Sequence, residues 1–63
     1  MKFREYDTVK VMVDLGEEVR KGEIGVVLMA FEIPYEAYEV EFLDKDGNPK
    51  AQYALRPNEL EMI

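Results

Sequence analysis

Glu39 and Glu41 come closer to chemistry, by type and spacing, than any other residues of the chain. They stand two apart in Tyr38-Glu39-Val40-Glu41-Phe42. In a strand, that spacing sends both carboxylates out of one face about 7 Å apart, a separation met in paired-acid catalysis. Such a pair also needs a cleft that raises one of its two pKa values, and a 63-residue chain offers little room for one. No His, Ser or Cys is present, and Thr8 is the one hydroxyl besides the tyrosines. A nucleophile with an adjacent base therefore cannot be assembled in the usual way. The expectation is a protein that is not an enzyme, with Glu39 and Glu41 on a solvated face.

Three other features invite a ligand and then resist it. Asp44-Lys45-Asp46-Gly47-Asn48 has the composition of a calcium loop, but the EF-hand pattern needs glycine at its sixth position and glutamate at its twelfth. Here glycine falls fourth, and the twelfth residue is Leu55, so the stretch reads as a hairpin turn. Zinc lacks its nitrogen and sulfur ligands, and no cofactor is expected. Gly22-x-x-Gly25 after Lys21 has the spacing of backbone-clamping loops and resembles the glycine-rich turn of KOW barrels. Glu17, Glu18 and Glu23 surround it with negative charge, so glycines that serve backbone geometry, marking a tight turn into a strand, are the simpler reading. Asp14, Glu17, Glu18 and Tyr6 echo the groove of a peptide-binding SH3 domain, but that groove normally includes a tryptophan, and the chain has none.

The elements that would carry these residues are strands. Asp7 to Val13 alternates, with Val9, Val11 and Val13 toward a core and Thr8, Lys10 and Met12 away from it. Residues 14–22 form a long loop with Leu15 and Val19 as anchors. Ile24 to Phe31 is apolar on both faces, as suits a curved strand shared between two small packed sheets; alternatively Val27, Met29 and Phe31 form a face left for another chain. Glu32-Ile33-Pro34-Tyr35-Glu36 turns the chain. Ala37 to Leu43 points Tyr38, Val40 and Phe42 inward, with Glu39 and Glu41 outward. After the Asp46-Gly47 turn, Lys50 to Leu55 returns antiparallel with Ala51, Tyr53 and Leu55 on one face. Pro57 starts a single helical turn, and Leu60, Met62 and Ile63 close a last strand. The fold expected is all-β: one domain over 1–63, a small five-stranded SH3-like barrel with one short helical turn before the last strand.

Fourteen acidic and eight basic residues give a formal charge of −6, which repels nucleic acid and attracts a basic protein; it also keeps a small domain soluble. No apolar run approaches the ~20 residues of a membrane span, and the N-terminus lacks the apolar core of a signal peptide. Absence of cysteine rules out a disulfide framework. A cytoplasmic protein of bacterial type, with no membrane attachment, is the simplest expectation.

Tyr6-Asp7-Thr8-Val9, Lys21 to Val27, Ala37 to Phe42, Asp44-Lys45-Asp46-Gly47 and the closing Leu60 together resemble the domain-of-unknown-function 4926 family of small bacterial proteins. The family often has Leu-Pro-Glu where this chain has Leu15-Gly16-Glu17, and a polar residue at the place of Val26. The resemblance implies an SH3-like barrel without assigned activity and transfers no catalytic or binding residue. Some relatives appear beside toxin-like genes, which points toward antitoxin or immunity roles.

Two functions from different classes follow. The first is an acidic protein-interaction module, most sharply an antitoxin or immunity protein that masks a basic toxin, with Glu32, Tyr35, Glu36, Glu39 and Glu41 meeting the partner. The second is a KOW-like housekeeping barrel that docks on RNA or a ribonucleoprotein through Lys10, Arg20, Lys21 and Lys50. Self-association through the apolar outer face of the second strand would make the functional unit a homodimer.

Overall fold

The computed structural model describes residues 1–63. Five strands, β1 (Thr8–Val11), β2 (Ile24–Phe31), β3 (Ala37–Leu43), β4 (Pro49–Leu55) and β5 (Leu60–Met62), form one antiparallel sheet in the order β4-β3-β2-β1-β5. A single 3-10 turn, Pro57–Glu59, precedes β5. The chain is all-β as expected. The two sheet edges, β4 and β5, do not pair with each other, so hydrogen bonds do not close the barrel. Nor is β2 divided between two separate sheets: it lies at the centre of one continuous sheet, against β1 over its first residues and β3 along its length. No helix is long and apolar enough to cross a membrane.

Alternation builds the core. Val9 and Val11 of β1, Val27 of β2, Tyr38, Val40 and Phe42 of β3, and Leu55 and Leu60 from the last third of the chain are all buried. Val19 anchors the long loop by full burial, while Leu15, Val13, Ala51 and Tyr53 pack against the same cluster. The Tyr53 hydroxyl donates to the Leu15 carbonyl at 3.0 Å, tying that loop to β4. β1 ends at Val11, two residues short of the sequence pattern, although the Met12 N–H still donates to the Glu59 carbonyl at 2.8 Å on the side of β5.

The two glycines before β2 do different jobs. Gly22 has φ +97°, as a turn residue should, and donates to the Val11 carbonyl. Gly25 has no such backbone; it is a strand residue, paired with Val9 on one side and Phe42 on the other. A Cβ there would lie 2.7 Å from Val40 Cγ1 and 2.9 Å from both the Glu41 carbonyl oxygen and Phe42 Cε1. The reading of both glycines as turn formers is thus corrected for Gly25, which is needed for close approach of β3. At the β3–β4 hairpin, Gly47 has φ +84°, and one Asp44 carboxylate oxygen accepts the N–H groups of Asp46 and Asn48, each at 2.9 Å. That carboxylate is a turn cap.

Candidate functional site

Residues directly opposite one another on neighbouring strands share a face, so the register defines the outer surface. Thr8, Val26, Glu41 and Gln52 make one row across it. Met29, Glu39 and Ala54 make the next, followed by Phe31 beside Ala37. Between these rows the register shifts, since Val27 faces Val40 while Met29 faces Glu39. Leu28 is therefore an extra residue, a β-bulge. The bulge splits the triplet expected on one face: Val27 is fully buried, whereas Met29 is 52% and Phe31 37% exposed on the other side. The result is an apolar line on β2, Val26-Met29-Phe31, alongside an acidic line on β3, Glu39 and Glu41.

Both glutamates point away from the core, as the alternation predicts. Glu39 Oε1 accepts a hydrogen bond from Gln52 Nε2 at 3.1 Å. The chain's two ion pairs are Lys50–Glu23 at 2.6 Å and Lys10–Glu61 at 3.7 Å, which leaves Glu32, Glu39 and Glu41 without a cationic partner. The same pairs engage two of the four cations of the RNA-docking alternative; Arg20 and Lys21 remain exposed on the loop.

The turn between β2 and β3 extends this surface. Ile33 at its tip is 86% exposed and Tyr35 51% exposed, with Glu32 exposed beside them. Arg56 follows Leu55, whose cross-strand partner is Tyr38, so the end of β4 lies beside the start of β3. From there the Arg56 guanidinium sits over the Tyr35 ring, 3.7 Å from its centroid. A basic group thus stands in what the sequence presents as an acidic patch.

Glu36 is differently employed from the other four expected contact residues. Its Oε2 accepts the Tyr38 hydroxyl and the Lys2 N–H, the latter at 2.9 Å. The Tyr38 oxygen in turn accepts the Lys2 N–H at 2.9 Å and the Phe3 N–H at 3.1 Å. Phe3 is thereby held in the core, its ring edge-on to Tyr38 with centroids 5.1 Å apart. The hydrogen bond from Tyr38, then that from the Lys2 backbone, keeps the Glu36 carboxyl below its ordinary 4.5. Burial, then the bond to Glu36, raises the Tyr38 phenol above 10.0. Glu36 secures the N-terminal segment, while Glu32, Tyr35, Glu39 and Glu41 are the four that face outward. Nothing in the sequence pattern marks Phe3 or Glu36 for this role, because the contact joins residues more than thirty positions apart.

The surface has no pocket and no group of side chains with the makings of a metal site. What the outer face offers is a shallow patch of mixed character: apolar side chains that bury area and unpaired carboxylates that select charge. Among curated proteins and solved structures nothing matches the chain. Residues 5–62 match the family model described as Domain of unknown function (DUF4926), and with nearly the whole chain covered, the protein belongs to that family.

Proposed function

We propose that the chain is a non-enzymatic protein-interaction module that binds a basic protein through the outer face of β2 and β3, most sharply as an antitoxin or immunity protein. One observation carries the reading: the unpaired Glu39 and Glu41 stand directly beside exposed Met29 and the Val26–Phe31 line. Exposed apolar side chains rimmed by polar and charged groups are the usual make-up of a docking patch. A toxin that acts on nucleic acid must present Lys and Arg to phosphate, and a surface of this kind can occupy them as a decoy. The −6 charge of the whole chain speeds encounter with such a partner and makes the rate salt-dependent.

The test is capture from source lysate at low and high salt, with wild type beside the double charge reversal Glu39→Lys, Glu41→Lys. A basic protein retained by wild type and lost on reversal supports the reading. Retention unaffected by the reversal, or no partner under either condition, counts against it. Filter binding to RNA at low salt addresses the KOW-like alternative, for which binding should fade steeply as salt is added.

A further inference from the structure

We infer that the Tyr35 ring is an arginine-recognition platform whose resting occupant is the chain's own Arg56. The inference rests on the docking reading above and names the partner group that this end of the surface takes: an arginine on an exposed segment of the basic protein.

Four observations converge on it. Tyr35 sits on an exposed turn with half its surface in solvent, so its ring is not needed to fill the core. A guanidinium already lies over that ring at 3.7 Å, so the ring and its surroundings accept this group in a stacked geometry, which suits a planar cation better than an ammonium. Glu32 is exposed on the same turn with no cationic partner, which leaves a carboxylate for an incoming arginine. Arg56 is free to yield its place: its backbone N–H is fixed by Glu59 Oε1 at 2.8 Å, but its side chain makes no ion pair. An arriving arginine would thus exchange with an internal competitor of the same chemistry. The apparent affinity is reduced by the fraction of time that Arg56 covers the ring.

The experiment is an NMR titration at low salt with the capped peptide acetyl-Gly-Arg-Gly-amide and its lysine counterpart, following the backbone amides and the Tyr35 ring protons. The arginine peptide should move the Tyr35 ring resonances more than the lysine peptide does. Arg56→Ala should tighten that binding roughly two- to fivefold, the factor set by removing an exposed cation–π competitor. Tyr35→Phe should keep the response and Tyr35→Leu should lose it, the amide spectrum showing that each variant is folded. Equal response to both peptides, centred on Glu39 and Glu41 with Tyr35 unmoved, would overturn the platform while leaving the docking surface standing. No response at any of these residues would remove both.

Discussion

Replacing Tyr38 with Phe deletes one oxygen and should cost a sizeable part of the stability of this domain. The ring stays, and with it the edge-on contact to Phe3 and the fully buried packing position. What disappears is the acceptor for the Phe3 N–H and one of two acceptors for the Lys2 N–H, together with the donor to Glu36. Lys2 retains Glu36 Oε2. Phe3 has no other partner, and a buried N–H left unpaired costs about 1–3 kcal/mol. For 63 residues the whole stability is about 3–9 kcal/mol. A loss of about 2 kcal/mol lowers Tm by roughly 8–16 °C in a domain this small, readable by circular dichroism. Amide exchange gives the local signature, since the Phe3 and Lys2 N–H groups should lose protection before the central strands do. A Tm within about 2 °C of wild type, with Phe3 still protected, would refute the claim that this hydroxyl fastens the N-terminal segment to the core.

Glu36 and Tyr38 of this network, together with Glu23 at a separate ion pair, make stability depend on pH at both ends of the scale. The hydrogen bond from Lys50, then that from the Arg20 N–H, holds Glu23 below its ordinary 4.5, and Glu36 is held low by Tyr38 and Lys2. Their stabilisation is present above about pH 4.5 and is lost as pH falls through the folded values, because the unfolded chain binds protons first. The Tyr38 phenol is raised, so its contribution is intact below pH 10 and declines as pH rises through the folded value. Denaturation midpoints measured across pH should flatten on the acid side in the Glu23→Gln, Glu36→Gln double variant. Gly25→Ala should destabilise by about 1–3 kcal/mol through overpacking, as the new methyl meets Val40, Phe42 and the Glu41 backbone. Gly22→Ala should cost about 1–2 kcal/mol for a different reason, since φ there is +97° with open space around it; urea titration of both variants measures the two effects. Val19→Ala, which empties a fully buried loop anchor, should cost about 2 kcal/mol and lower the midpoint without altering the spectrum of β3.

Period-two patterning made most of the fold legible. Tyr38-Glu39-Val40-Glu41-Phe42 declares its inner and outer faces, and the structure buries the three apolar residues and leaves the two glutamates half-buried on the opposite face. Leu15 and Val19 were identifiable as anchors because they are the apolar residues of an otherwise polar loop. The eight-residue apolar run of β2 was harder, since it has no polar residue to mark a face and cannot announce a bulge at Leu28. The bulge follows from pairing with β3, where Met29 and not Leu28 comes opposite Glu39. A local sequence pattern holds no information about that shift. Gly25 misled for a similar reason. Its spacing from Gly22 resembles a turn, while its necessity arises from the side chains of Val40 and Phe42 on another strand.

The candidate surface was legible only where it follows alternation. Glu39 and Glu41 face outward because their neighbours face inward, and this can be read along one strand. Tyr35, Glu32 and Glu36 lie on a turn, where type and proximity in sequence do not fix direction. The structure separates them by contacts made with distant parts of the chain. Glu36 is drawn to the N-terminal backbone, Tyr35 to Arg56, and Glu32 to neither. Arg56 is the instructive case: in sequence it precedes Pro57 and belongs to the last helical turn. It joins the proposed docking surface because Leu55 pairs with Tyr38, which carries the end of β4 to the β2–β3 turn. Net charge alone would make this region uniformly attractive to cations, with every added basic residue equivalent. The stacked Arg56 makes a sharper statement, that one position on the surface discriminates guanidinium from ammonium while Glu39 and Glu41 do not. Truncation of Arg56 should therefore raise the preference for the arginine peptide over the lysine peptide, whereas charge reversal at the strand should weaken binding of both alike.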